Sequence, residues 1–303
     1  MAEHMQQRDS LIAAALTAMR SGDAGMANQI LARLLADLPD DPATHQLAAV
    51  VALGKGDYAG ARRHAGISLD RRPQHAPTLL IAGRAARLAG DLAAADHHLT
   101  AALQLDPQRP EAAFLTCITR LERGDPTARQ MLDQLISRFP EDADGWFEIG
   151  ASLQRAGKVE AALSAFQRAH RRTDSHLRRA ALLQQLQQLD SAIAAYQAAV
   201  AADPKLAEAW FRLALLYQDA QRPAEAIDAY RQALASRPDL AEAEVNLGLL
   251  LQESGDLAAA YDSYRRAVQL RPDSFGRIAQ GISMGRRGQM WLDLTKLRQF
   301  LQA

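Results

Sequence analysis

The chain has 303 residues, 48% of them hydrophobic and 5% aromatic, and Lys+Arg and Asp+Glu both total 35, a formal net charge of zero. A neutral chain has no electrostatic basis for wrapping nucleic acid or lying on an anionic membrane, so neither is expected as a partner. Its single cysteine, Cys117, excludes an intramolecular disulfide framework and a thiolate metal cluster.

At the N-terminus, polar residues stand where a secretory signal needs its apolar core, and residues 1–7 read as a polar extension. No apolar run approaches the roughly 18 residues a membrane span requires. A cytoplasmic location is the expectation, and the preference for arginine over lysine beside abundant alanine suggests a GC-rich bacterial source.

From residue 8 onward the chain is periodic. Pro39, Pro73, Pro107, Pro140, Pro204, Pro238 and Pro272 follow one another at 34, 34, 33, 64, 34 and 34 residues, the 64 containing one shortened unit. A fixed period near 34 signals stacked helix–turn–helix units. Gly22, Gly56, Gly90, Gly124, Gly157 and Gly255 mark the turn inside six of the units, where a positive φ is cheapest for glycine. Beyond it come a small residue (Ala27, Ala61, Ala95, Ala128, Ala162, Ala192, Ala226, Ala260) and, four later, a large one (Leu31, Leu99, Leu132, Phe166, Tyr196, Tyr230, Tyr264). An i, i+4 pair shares one helix face, so the small residue admits the neighbouring helix and the large one fills the space beside it. Ala65 is the exception, a small residue in the large position.

The run Trp210-x-x-Leu213-Ala214-x-x-Tyr217 with Ala226, Tyr230 and Pro238 resembles the tetratricopeptide repeat. Trp146-x-x-Ile149-Gly150 with Ala162 and Phe166, and Leu247-Gly248 with Ala260, Tyr264 and Pro272, resemble it too. The resemblance implies an all-α, right-handed superhelical solenoid of antiparallel helix pairs, in eight units at 8–41, 42–75, 76–109, 110–142, 143–172, 173–206, 207–240 and 241–274. Unit four lacks the first-helix tryptophan and glycine. Unit five runs only 30 residues to the next start, through His170–His176 without a terminating proline, so a local change of twist is expected near 168–178.

Residues 275–303 leave the pattern. Met290, Trp291, Leu294, Leu297 and Leu301 recur at helical spacing after the loop Gly285–Gly288, which suits a terminal capping helix. A docking helix for a partner is the other reading.

Motifs for chemistry are absent: no Gly-rich phosphate loop, nucleophile elbow or paired zinc motif occurs. The eight histidines (His4, His45, His64, His75, His97, His98, His170, His176) show no common ligand spacing, and Cys117 has no activating motif beside it. No enzymatic activity, cofactor or metal is expected.

In the family that the repeats resemble, the first helix of each unit lines a concave groove through its second, fifth, ninth and twelfth positions. Carried over, these give a peptide-binding set of Phe147, Gln154, Leu177, Gln184, Phe211, Leu215, Gln218, Val245, Leu249 and Gln252, with Phe147 and Phe211 as candidate anchors. Asp144, Asp174, Glu208 and Glu242 at second positions would repel a carboxylate, and Asn246 alone stands where an asparagine ladder would run. The resemblance thus implies a protein-interaction scaffold taking a peptide or helix with apolar and basic side chains. The other reading of these residues is packing between neighbouring helices. Two further alternatives are a specificity or regulatory module of a separately encoded glycosyl- or sulfotransferase, and a self-assembling homo-oligomeric scaffold using the exposed Leu11, Ile12 and Leu16.

Overall fold

A computed structural model describes residues 2–284 and 294–302, with side chains from 5 to 283 and from 294 to 302. The described residues hold helices and no strands, in two compact units, Met1–Ala169 and His170–Ala303. The division falls at the start of the short His170–His176 junction.

The first unit contains five helix pairs: α1 (Ala2–Arg20) with α2 (Ala24–Asp37), α3 (Pro42–Gly54) with α4 (Tyr58–Arg71), α5 (Ala76–Leu88) with α6 (Leu92–Leu105), α7 (Pro110–Arg123) with α8 (Thr127–Arg138), and α9 (Ala143–Arg155) with α10 (Val159–Arg168). The second contains α11 (Thr173–Gln185) with α12 (Leu189–Ala202), α13 (Ala207–Asp219) with α14 (Pro223–Ser236), and α15 (Ala241–Ser254) with α16 (Leu257–Leu270). A 3₁₀ turn (Pro272–Ser274) then leads to α17 (Phe275–Met284), which packs on α15, and α18 (Leu294–Gln302) packs on α16.

Local chemistry sets these boundaries. Asp23, Asp41, Asp57, Asp91, Asp142 and Asp256 stand before helix starts, and each carboxylate accepts the N–H three residues on, satisfying an orphan donor of the first turn. The registered prolines act at the other end. The residues before them, Leu38, Arg72, Asp106, Phe139, Asp203, Arg237 and Arg271, all lie between φ −133° and −145° with positive ψ, because proline's ring disfavours the helical region for its predecessor. The six turn glycines take φ between +71° and +99°. Gln187 (φ 58°) and Gln221 (φ 57°) hold the same left-handed turn without glycine.

Packing follows the small–large pairing. A Cβ on Gly83, Gly150 or Gly248 would lie under 3 Å from Leu99, Phe166 or Tyr264 respectively, so the first helix's glycine is the socket for the second helix's large residue. Leu99, Ile149 and Leu213 are essentially solvent-free, each burial contributing roughly 1.5–3 kcal/mol. The fourth pair departs from this scheme. There α9 packs on α7, and α8 is not among its principal neighbours. Phe114 of α7 makes the junction: its ring sits 2.4 Å from where a Cβ on Gly145 would be, edge-on to Trp146 at 5.4 Å and tilted against Phe139 at 6.2 Å.

At the C-terminus Leu297 and Leu301 are buried, Leu294 is exposed, and Phe300 stacks edge-on against Tyr261 at 5.3 Å. Met290, Trp291 and the Gly285–Gly288 loop lie outside the described residues.

Candidate interaction surface

The residues expected to form a binding face lie on α9 in the first unit and on α11, α13 and α15 in the second. Phe147 of α9 is half-buried and tilts against Phe166 of its own pair at 5.7 Å, with Gln154 half-buried two turns on. In the second unit Leu177, Gln184, Leu215, Gln218 and Leu249 are half-buried, whereas Phe211, Val245 and Gln252 are buried, at 9%, 1% and 3% exposure. Phe211 packs on Tyr230 of α14 at 5.8 Å. Leu249 lies under α17: its Cδ2 is 2.2 Å from where a Cβ on Gly281 would be.

Two of the four expected glutamines, Gln218 and Gln252, are engaged inside the helix pairs. The Tyr230 hydroxyl donates to the Gln218 side-chain carbonyl, and the Tyr264 hydroxyl to that of Gln252 at 2.8 Å. Asn246 donates to the Tyr230 oxygen at 3.0 Å and accepts from Arg277 at 3.0 Å. Burial pushes the Tyr230 phenol up to about 12, and the Tyr264 phenol upward as well. Both are therefore fixed as neutral donors at physiological pH.

The acidic edge is also paired. Glu208 takes Arg212 at 2.9 Å and Arg237 at 3.3 Å, Glu242 takes Arg271 at 3.4 Å, and Asp174 takes Arg172 at 3.2 Å. Lys205, exposed beside Glu208 and its two arginines, has no ion pair among the described residues. The surface around Glu208 is thus more basic than the second-position carboxylates alone imply. Sequence reasoning missed these arginines because Arg172, Arg237 and Arg271 stand at helix ends and Arg212, although within α13, falls outside the second, fifth, ninth and twelfth positions.

One cleft of about 550 Å³ opens on this part of the second unit, among Leu177, Tyr196, Leu206, Ala209, Glu208 and Arg212. Leu177 is the one expected site residue that lines it. Its lining combines apolar side chains such as Leu177, Tyr196 and Leu206 with the charged Lys205, Glu208, Arg212 and Arg237.

Among the described residues no three His, Cys, Asp or Glu side chains gather as a metal site, and no helix is long and apolar enough to cross a membrane. Cys117 is fully buried, its Sγ 3.8 Å from the Ala128 carbonyl, and burial pushes its thiol up to about 12.

A ring N–H recurs between successive pairs. Trp146 donates to the Phe139 carbonyl at 2.9 Å and Trp210 to the Pro204 carbonyl at 3.0 Å, each tying a first helix to the loop before it. In the second pair His45 stands at the same position, its Nε2 2.7 Å from the Pro39 carbonyl.

The family model described as tetratricopeptide repeat matches residues 47–110, 118–176, 177–241 and 211–275. No curated protein matches the chain. Among solved structures the chain is similar to the APC/C hetero-tetramer Cut9-Hcn1, at 16% identity and a TM-score of 0.44, covering 90% of this chain and 55% of that one. The chain therefore spans little more than half the length of that relative. It is also similar to the MamA RS-1 ArsTM double mutant, at 21% identity and a TM-score of 0.40, over 55% of this chain and 96% of that one. With the family model matching well over half its length, this chain belongs to the tetratricopeptide repeat family.

Proposed function

We propose that the chain is a protein-interaction scaffold that takes a segment of a partner protein against the first helices of its second unit. Membership of the family supports protein partners in general terms. The observation that carries the finer reading is the cleft at Leu177, where apolar side chains meet the charged group Lys205, Glu208, Arg212 and Arg237. An apolar side chain of the partner would pack on the former, and its polar groups would meet the latter. Phe211, Val245 and Gln252 support this surface from beneath, because they are buried within the helix pairs. Leu177, Leu215 and Gln184 are left as the half-buried residues for direct contact.

Affinity capture from cells with the wild type and with Leu177→Glu tests the reading. A partner retained by the wild type and lost by Leu177→Glu, with the helical circular dichroism unchanged, supports it. The same partners on both would move recognition to another surface, and capture of this chain alone would favour self-assembly.

A further inference from the structure

His45 and His64 face each other inside the first unit with Nδ1 to Nδ1 at 2.9 Å and their rings stacked at 5.2 Å between centroids. His45 is buried and His64 half-buried. A carbonyl oxygen only accepts, so the contact of His45 Nε2 with the Pro39 carbonyl fixes the proton on Nε2. In the neutral pair His45 Nδ1 is then a bare lone pair, and His64 Nδ1–H must donate to it. One added proton leaves that bond intact, since an imidazolium and an imidazole share a hydrogen bond equally well. A second added proton places N–H against N–H and charge against charge.

The sequence sets this pair apart from the others. His45 stands where Trp146 and Trp210 stand in their helix pairs, and makes the same bond to the preceding loop. Ala65, next to His64, is small where other pairs carry a large side chain, and packs with Ala49 and Ala82. A titratable ring has therefore replaced a non-titratable one in a bond that joins two repeats.

We infer that the His45–His64 pair is an acid-sensitive latch holding the Leu38–Asp41 loop, and with it the α1–α2 pair, onto α3. Loading both rings breaks the Nδ1 contact, turns His45 and frees the Pro39 carbonyl. Few charges nearby oppose this. On α4, Arg63 disfavours a charged His64 and Asp57 favours it, while burial and His45 push its pKa below the ordinary histidine value. On α3, Asp41 is committed to Arg8 of α1 at 2.9 Å and to Thr44. The α2 pair Arg33–Asp37 is exposed and bonded to itself, and on α5 Arg84 and Arg87 pair with Glu111 and Glu122. The sign follows from the depressed pKa. The folded unit resists the proton that the unfolded chain takes near 6.5, so the latch is intact above that pH and weakens as pH falls below it.

Amide hydrogen exchange of residues 38–47 at pH 7.5 and pH 5.0, corrected for intrinsic rates, tests the latch in the full chain. The wild type should lose protection about tenfold at pH 5.0. The double variant His45→Trp/His64→Ala, which keeps a ring N–H for Pro39 but cannot titrate, should lose none. An equal loss in both, or no loss in the wild type, overturns the inference. Nitrogen-15 titration of the wild-type chain decides independently of the variant: a His64 step below the ordinary histidine value is expected, and an ordinary step for His64 would contradict it.

Discussion

The Tyr264 hydroxyl donates to the Gln252 side-chain carbonyl at 2.8 Å, closing α16 onto α15 across a fully buried contact. Tyr230 and Gln218 repeat the relationship one helix pair earlier, again 12 residues apart. Each is a neutral hydrogen bond inside the fold. Tyr264→Phe, which deletes only the donor, should lower stability by about 0.5–1.5 kcal/mol in urea unfolding with the helical spectrum retained. A variant as stable as the wild type would show that the bond adds nothing to the pairing.

Gln187 and Gln221 turn between helices at φ 58° and 57°, where six other turns use glycine. A non-glycine residue there carries a steric cost of about 1 kcal/mol, partly offset because glycine is more flexible when unfolded. Gln187→Gly and Gln221→Gly should each raise the unfolding midpoint modestly, and Gly157→Gln at the corresponding φ of 71° should lower it.

Much of this architecture was legible in the sequence, because prolines, turn glycines and small–large pairs act within a few residues of where they stand. The all-α helix pairs and the family followed from them. The state of the binding face was less legible. First-helix register identified Gln218 and Gln252, but the tyrosines that engage them come from the second helix, and Arg212 and Arg237 reach Glu208 from outside the counted positions. His45 was open to discovery: aligned on Trp146 and Trp210, it occupies the fourth position of its repeat, yet a histidine list sorted by metal spacing hides it. That α9 docks on α7 was beyond local patterning, since Phe114 and Gly145 are 31 residues apart.

That docking makes its own prediction. A methyl on Gly145 would meet the Phe114 ring at 2.4 Å. Gly145→Ala should therefore destabilise the first unit by about 1–3 kcal/mol, although alanine is the better helix former. Combining it with Phe114→Leu should cost less than the two single changes added together, and strict additivity in this double-mutant cycle would refute the contact.

Cys117 should be silent to thiol reagents in the native protein, because burial both hides its sulfur and pushes its pKa to about 12. Its labelling by an aromatic disulfide should track unfolding across a urea series. Rapid labelling without denaturant would show that the α7–α8 pair opens freely.

The most direct test of the interaction reading is site-specific crosslinking in the cell. A photo-reactive phenylalanine analogue replaces either Leu177, in the cleft, or Asp228, whose side chain is 76% exposed on α14. The account predicts a discrete crosslinked partner protein from position 177 and none from position 228, with the 177 product abolished by the added change Leu206→Glu. A partner captured equally from both positions, or from 228 alone, would contradict a binding surface on the first helices of the second unit.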